Sequence, residues 1–187
     1  MNVYMKNLVL TISGLHGTGK STYARRIAEE FNLRHISAGE LFRQIAAERK
    51  LSIAELSCEA EKNISVDVLL DERTRAEIRS GRVVVDGLLT GWMSRGFIAL
   101  KIYLTTSYRI RIARIALRDG VSYAKAEKST VLRESIEKRR FKSLYGIDIY
   151  DLSIYDLVLN TGLISIEHNV EIVKSFIEVY VRSSGEK

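Results

Sequence analysis

The chain has 187 residues, 46% hydrophobic and 28% charged, a balance that suits one globular α/β domain rather than a disordered or fibrous chain. No apolar run approaches the roughly 20 residues a bilayer span needs. Met1–Asn7 shows no signal-peptide pattern, and a single cysteine, Cys58, excludes an internal disulfide, so a cytoplasmic setting is expected.

The elements follow in chain order. Leu8–Ile12 is a short apolar run ending in Ser13-Gly14, the pattern of a strand buried on both faces of a parallel sheet. Ala24, Ile27, Ala28 and Phe31 then recur at helical spacing and mark one buried face. His35-Ile36 predicts a second short strand, and residues 39–49 a helix with Leu41, Phe42, Ile45 and Ala46 inward. Ser52-x-x-Glu55 has the spacing of a capping box, and Ser65 is placed to cap the next helix, ending near Arg79. Val83–Val85 is a third strand running into Asp86-Gly87, Leu100–Leu104 a fourth and Leu157–Leu159 a fifth. Helices over about 107–118, 124–144 and 167–181 complete the set. Strands alternating with helices predict a parallel sheet covered on both faces, with ligands gathering beyond the carboxyl ends of the strands, where Gly14 and Asp86 fall.

Gly14, Leu15, His16, Gly17, Thr18, Gly19, Lys20 and Ser21 match G-x-x-x-x-G-K-[ST] between a strand and an amphipathic helix, with Thr22 in the first helical turn. In such a loop glycines let successive N–H groups point at phosphates, and the following helix adds its positive end. Lys20 is expected to reach the β- and γ-phosphates of ATP, and the Ser21 hydroxyl to ligate Mg2+. Asp86 is a second candidate Mg2+ ligand, or else caps the turn that follows it. His16 reads as a tolerated spacer in the loop; His35 and His168 read as structural.

The net charge of +6 is unevenly placed, because residues 106–145 carry 11 Lys/Arg against 4 Asp/Glu. Taken alone, that segment reads as a solvated helix surface; beside a phosphate loop, it reads as a field that attracts phosphates. Arg114 and Arg118 share one helical face, as do Arg133, Glu137 and Arg140, where an Arg133–Glu137 ion pair of purely structural value is the alternative. The chain lacks the N-K-x-D base-recognition motif of GTPases. A short chain with a basic segment after the fourth strand fits a small-molecule kinase, whose lid arginines neutralise the transferring phosphoryl group.

Three stretches then carry a resemblance. Residues 36–43 (ISAGELFR), 85–92 (VDGLLTGW) and 145–161 (YGIDIYDLSIYDLVLNT) resemble archaeal-type cytidylate kinases, which belong with the nucleoside monophosphate kinases; the likeness runs from Leu8 to Thr161. It implies a three-layer αβα sandwich around a five-stranded parallel sheet, one domain spanning residues 1–187. Within it a monophosphate-binding region would cover about 37–80 and a lid about 118–142. It further implies transfer of the γ-phosphoryl of Mg·ATP to CMP or dCMP by a protein that binds small nucleotides, with a monomer favoured and neither membrane nor nucleic acid as partner. By position, Ser37 and Ala38 fall at the mouth of the acceptor pocket, and Arg43 on the acceptor phosphate. Arg114 and Arg118 would cover the ATP, and Arg133, Glu137 and Arg140 would contact nucleoside and phosphates; Lys20, Arg118 and Arg140 form the catalytic set. Leu88 departs from the pattern, since many relatives carry an arginine there for the acceptor phosphate; Arg73, Arg75 and Arg95 are candidate replacements. Spacing by itself leaves open another monophosphate or small-metabolite kinase, or a nucleotide- or RNA-binding protein without catalysis.

Overall fold

In the computed structural model, residues 7–184 are described. Five strands, β1 (Val9–Ser13), β2 (Arg34–Ser37), β3 (Val83–Asp86), β4 (Leu100–Thr105) and β5 (Leu157–Asn160), form one parallel sheet in the order β2-β3-β1-β4-β5. β1 lies at the centre with every residue buried, its apolar Val9, Leu10 and Ile12 interleaved with buried Thr11 and Ser13. β5 closes one edge and alternates between half-buried and exposed.

Eight helices complete the described chain: α1 (Lys20–Glu30), α2 (Ala38–Glu48), α3 (Ile53–Lys62), α4 (Ser65–Arg79), α5 (Thr90–Met93), α6 (Tyr108–Asp119), α7 (Tyr123–Tyr145) and α8 (Ile166–Ser184). One sheet face packs Leu10, Ile12 and Ile102 against Ala24 and Ile27 of α1 and Val173 and Ile177 of α8. The other packs Val83 and Val85 against Ile78 of α4, Trp92 of α5 and Phe141 of α7. These are the three layers the sequence predicts. Two smaller apolar clusters stand apart from the sheet: Ile45, Ala46, Leu56, Ala60 and Val66 join α2, α3 and α4, while Ile112, Ile115 and Ala126 join α6 and α7.

Local chemistry sets the helix ends. Ser52 and Glu55 form the expected capping box, each side chain bonded to the other's backbone N–H. Ser107 and Ser122 cap α6 and α7, and Gly120 and Gly146 end them in left-handed conformation. Ser65 does not cap α4. It is the first helical residue, and its N–H donates to Asn63 Oδ1 at 2.9 Å, so the asparagine two residues upstream supplies the acceptor. The single turn α5, between β3 and β4, is too short to announce itself by periodicity.

Candidate active site

The loop between β1 and α1 is shaped by contacts that exclude side chains. A Cβ on Gly14 would lie 2.3 Å from the Leu104 carbonyl oxygen, and one on Gly17 2.5 Å from that of Arg111; both residues have positive φ. The loop is therefore pressed against the end of β4 and against α6. Thr18 Oγ1 and Lys20 Nζ both donate to the Leu15 carbonyl, at 2.9 and 3.0 Å. Burial pulls the Lys20 ammonium down to about 8, against the attraction of Asp86 and Glu137.

Three distant segments hold the outside of this loop. Arg111 donates to the His16 carbonyl at 2.9 Å while its guanidinium forms a buried ion pair with Glu134 of α7. Arg114 donates to Thr161 Oγ1 at 3.0 Å and to the Thr161 carbonyl at 2.9 Å, and the same hydroxyl donates to the Thr18 carbonyl at 3.0 Å. His16 is no idle spacer: its Nε2 meets Glu137 Oε2 at 2.7 Å, tying the loop to α7. Arg133 donates to the other Glu137 oxygen at 2.9 Å. Burial pushes Glu137 up, yet His16 and Arg133 outweigh it and hold the carboxyl well below its usual range. Burial also lowers His16 despite the carboxylate beside it.

Asp86, the last residue of β3, is 2% exposed and opposite Ile12 in register. Its Oδ2 accepts from Ser21 Oγ at 2.9 Å and from Ser37 Oγ at 3.5 Å, and its Oδ1 accepts from His35 Nε2 at 2.7 Å. His35, read from the sequence as structural, is brought by parallel pairing of β2 with β3 onto the candidate metal-binding carboxylate. Ser21 and Asp86 present hard oxygen donors side by side, a set that fits Mg2+, which takes few protein ligands and completes its shell with water and phosphate. Among the described residues no cluster of three or more His, Cys, Asp or Glu forms a closed cage for a metal.

On the acceptor side, Ser37 is buried at the junction of β2 and α2, and Ala38 approaches Gly87 so closely that a Cβ there would lie 2.8 Å from its own. Arg43 is exposed on α2 near Gly39, with Glu40 at 3.9 Å. Arg140 of α7 reaches Asp67 of α4 at 3.3 Å, and one turn further along each helix Tyr145 donates to Asp71. Burial raises Asp71 to about 6 in spite of that hydrogen bond. Arg118 lies exposed with its guanidinium bonded to Asp119, away from the groups that hold the loop. Of the cations weighed against Leu88, Arg73 is bonded through both terminal nitrogens to Glu48, while Arg75 and Arg95 lie over the rings of Phe97 and Trp92. Leu88 itself packs on the apolar cluster of α4, α5 and β3.

The AAA domain family matches residues 13–139, from the end of β1 into α7. A cytidylate kinase from Staphylothermus marinus is 48% identical over 175 residues, covering 94% of this chain and 99% of that protein. The chain belongs to the cytidylate kinase family. A second member, from Pyrococcus horikoshii, is 42% identical over 171 residues, or 91% of this chain and 88% of its own. Among solved structures, a shikimate kinase from Bacteroides thetaiotaomicron has a TM-score of 0.63 at 14% identity over 91% of this chain and 98% of that one, a likeness of fold alone.

Membership in the cytidylate kinase family explains the loop but not its supports. Arg111, Glu134, Thr161, His35, Asp67 and Asp71 escape a motif-based reading. One signal was available: Arg111 precedes Ile112 and lies three residues before Arg114, so it borders the buried Ile112–Ile115 stripe of α6.

Proposed function

We propose that the protein transfers the γ-phosphoryl group of Mg·ATP to the 5′-phosphate of CMP or dCMP, giving CDP or dCDP and ADP. What carries this reading is the convergence of Lys20, Ser21 and Asp86 at the carboxyl edge of the sheet in a chain 48% identical to a cytidylate kinase along nearly its whole length. An oxygen of the acceptor phosphate attacks the γ-phosphorus in line as the bond to the bridging oxygen of ADP breaks. No covalent intermediate with the protein is needed, and no general base, because the acceptor is already ionised at neutral pH.

In this scheme residues 14–22 cradle the triphosphate, and Lys20 leaves the Leu15 carbonyl for the β- and γ-phosphates. Ser21 and Asp86 would hold Mg2+, directly or through water, where it would neutralise charge on the phosphate oxygens. Arg114, close beside Gly19, is the donor-side cation that needs no movement. Exposed Arg118 is free to exchange Asp119 for the transferring group when a lid over about 118–142 closes. Arg43, with Ser37 and Ala38, would meet the acceptor in a monophosphate-binding region over about 37–80, which has an apolar cluster of its own. Arg140, tied to Asp67, fits beside the acceptor better than on the group in flight. Inward ion pairing of Arg111 and Arg140, with Arg133 paired to Glu137 at the surface, leaves less free basic surface for nucleic acid than the charge count suggests.

A coupled assay of ADP release across CMP, dCMP, UMP, AMP and GMP tests the assignment. CMP or dCMP is expected to give the highest kcat/KM; AMP turnover far above CMP would overturn it.

A further inference from the structure

One residue of the phosphate loop is held by α7 twice over. The His16 carbonyl accepts from Arg111, whose guanidinium is paired with Glu134, and the His16 imidazole is hydrogen-bonded to Glu137 at 2.7 Å. Glu134 and Glu137 are three apart on α7, so both tethers run to the same turn of that helix. They differ in kind. Arg111 and Glu134 form a buried pair that grips only backbone, and any residue at position 16 would offer it the same carbonyl. The second tether needs the imidazole. Among the described residues, no other side chain of the loop is hydrogen-bonded to α7.

Both ends of this second tether lead to a ligand region. At the loop end, Lys20 donates at 3.0 Å to the Leu15 carbonyl, an oxygen of the peptide that joins Leu15 to His16. When Lys20 turns to the phosphates of the donor nucleotide, that peptide keeps only the Thr18 hydroxyl, and residue 16 stands at its end. At the helix end, Arg140 is paired with Asp67 of α4, and Tyr145 donates to Asp71. α7 thus reaches from the phosphate loop to a helix of the region expected to take the monophosphate. It contains neither glycine nor proline, so no hinge interrupts it on the way.

We propose that His16 is a positioning residue that couples the two substrates: through its bond to Glu137, the setting of α7 against α4 follows whether the phosphate loop is filled. The inference rests on the protein phosphorylating CMP from Mg·ATP, and concerns the route between the two sites. Without the imidazole the loop is still tied through Arg111 and Glu134, so both nucleotides still bind, but the affinity of each depends less on the other. Such coupling is reciprocal, one factor governing both ligands.

The test measures Kd for CMP by calorimetry, with and without the β,γ-imido analogue of Mg·ATP, in wild type and His16→Ala. In wild type the analogue should tighten CMP at least about fivefold, and CMP should tighten the analogue by the same factor. In His16→Ala the factor should drop below about twofold, whatever the variant costs in affinity for either ligand alone. Weaker binding of the analogue with the factor intact marks a merely structural residue and overturns the inference. Glu137→Ala should lose the same coupling, since both variants remove one bond; a wild-type factor there overturns it too. Should neither variant fold, the wild type still decides: CMP added alone should move the imidazole nitrogen resonances of His16, and resonances that stay in place sink the proposal. Wild type that does not phosphorylate CMP overturns the acceptor assignment and this inference with it. Wild type that phosphorylates CMP without any coupling sinks the inference alone.

Discussion

The phosphate loop and the α4–α7 seam both bring charge to the ligand side of the sheet, by different means. In the loop the work falls to backbone: glycines pressed on β4 and α6, carbonyls of Leu15, His16 and Thr18 each bonded, and one lysine folded onto its own loop. In the seam it falls to side chains: Arg140 on Asp67 and Tyr145 on Asp71, with atoms left over. A loop of this kind is organised before a phosphate arrives, which suits a group common to every nucleotide. The seam instead joins two helices through side chains whose charges are only partly matched.

The sharpest way to break this contrast is to attack what holds the loop. Arg111→Met alone leaves Glu134 buried without its partner and should cost about 3–5 kcal/mol in a denaturation titration. Adding Glu134→Leu should restore most of that stability yet leave the His16 carbonyl without its donor, so KM for ATP should remain raised. If the double variant binds ATP as wild type does, the loop owes nothing to α6 and α7. Lys20→Ala should leave thermal stability nearly unaltered and lower kcat at least about 100-fold. Near-native turnover would remove Lys20 from its assigned role.

Smaller effects sharpen the comparison. His35→Ala frees one oxygen of Asp86, and the Mg2+ concentration needed for half-maximal activity should rise about tenfold, with KM for CMP little changed. An unaltered Mg2+ requirement would mean that Ser21 and β3 alone orient the carboxylate. The smallest effect is a pH slope in the seam. Asp71 is raised from its ordinary 3.8 to about 6 by burial, so between those values the folded chain holds a proton that the unfolded chain releases. Its contribution to stability is therefore fully present at low pH and is lost as pH rises through 6. Melting temperatures of wild type and Asp71→Asn should shift in favour of wild type as pH falls from 7 to 5. A constant difference across that range would show that the carboxyl titrates normally.

Reading the chain alone recovers the parts that repeat a local rule. The phosphate loop, the capping box at Ser52 and Glu55, the five strands and the long helices all follow from patterns a few residues in length. Ser65 fails as a cap because the helix already begins at it, and its own N–H is taken by Asn63 two residues earlier. His16 and His35 were legible as residues but not as participants: one meets Glu137 across 121 positions, the other Asp86 across 51. No spacing rule reaches that far.

The sequence by itself determined the layered parallel sheet, the placing of Gly14 and Asp86 at its carboxyl edge, and the chemistry of the loop between them, because strand burial and backbone curvature are encoded by neighbours in the chain. Tertiary structure alone decided which arginine braces the loop, which histidine grips the carboxylate, and that Asp67 keeps one oxygen in reserve. Those outcomes depend on which strands and helices lie side by side, and packing brings together side chains that the chain itself keeps far apart.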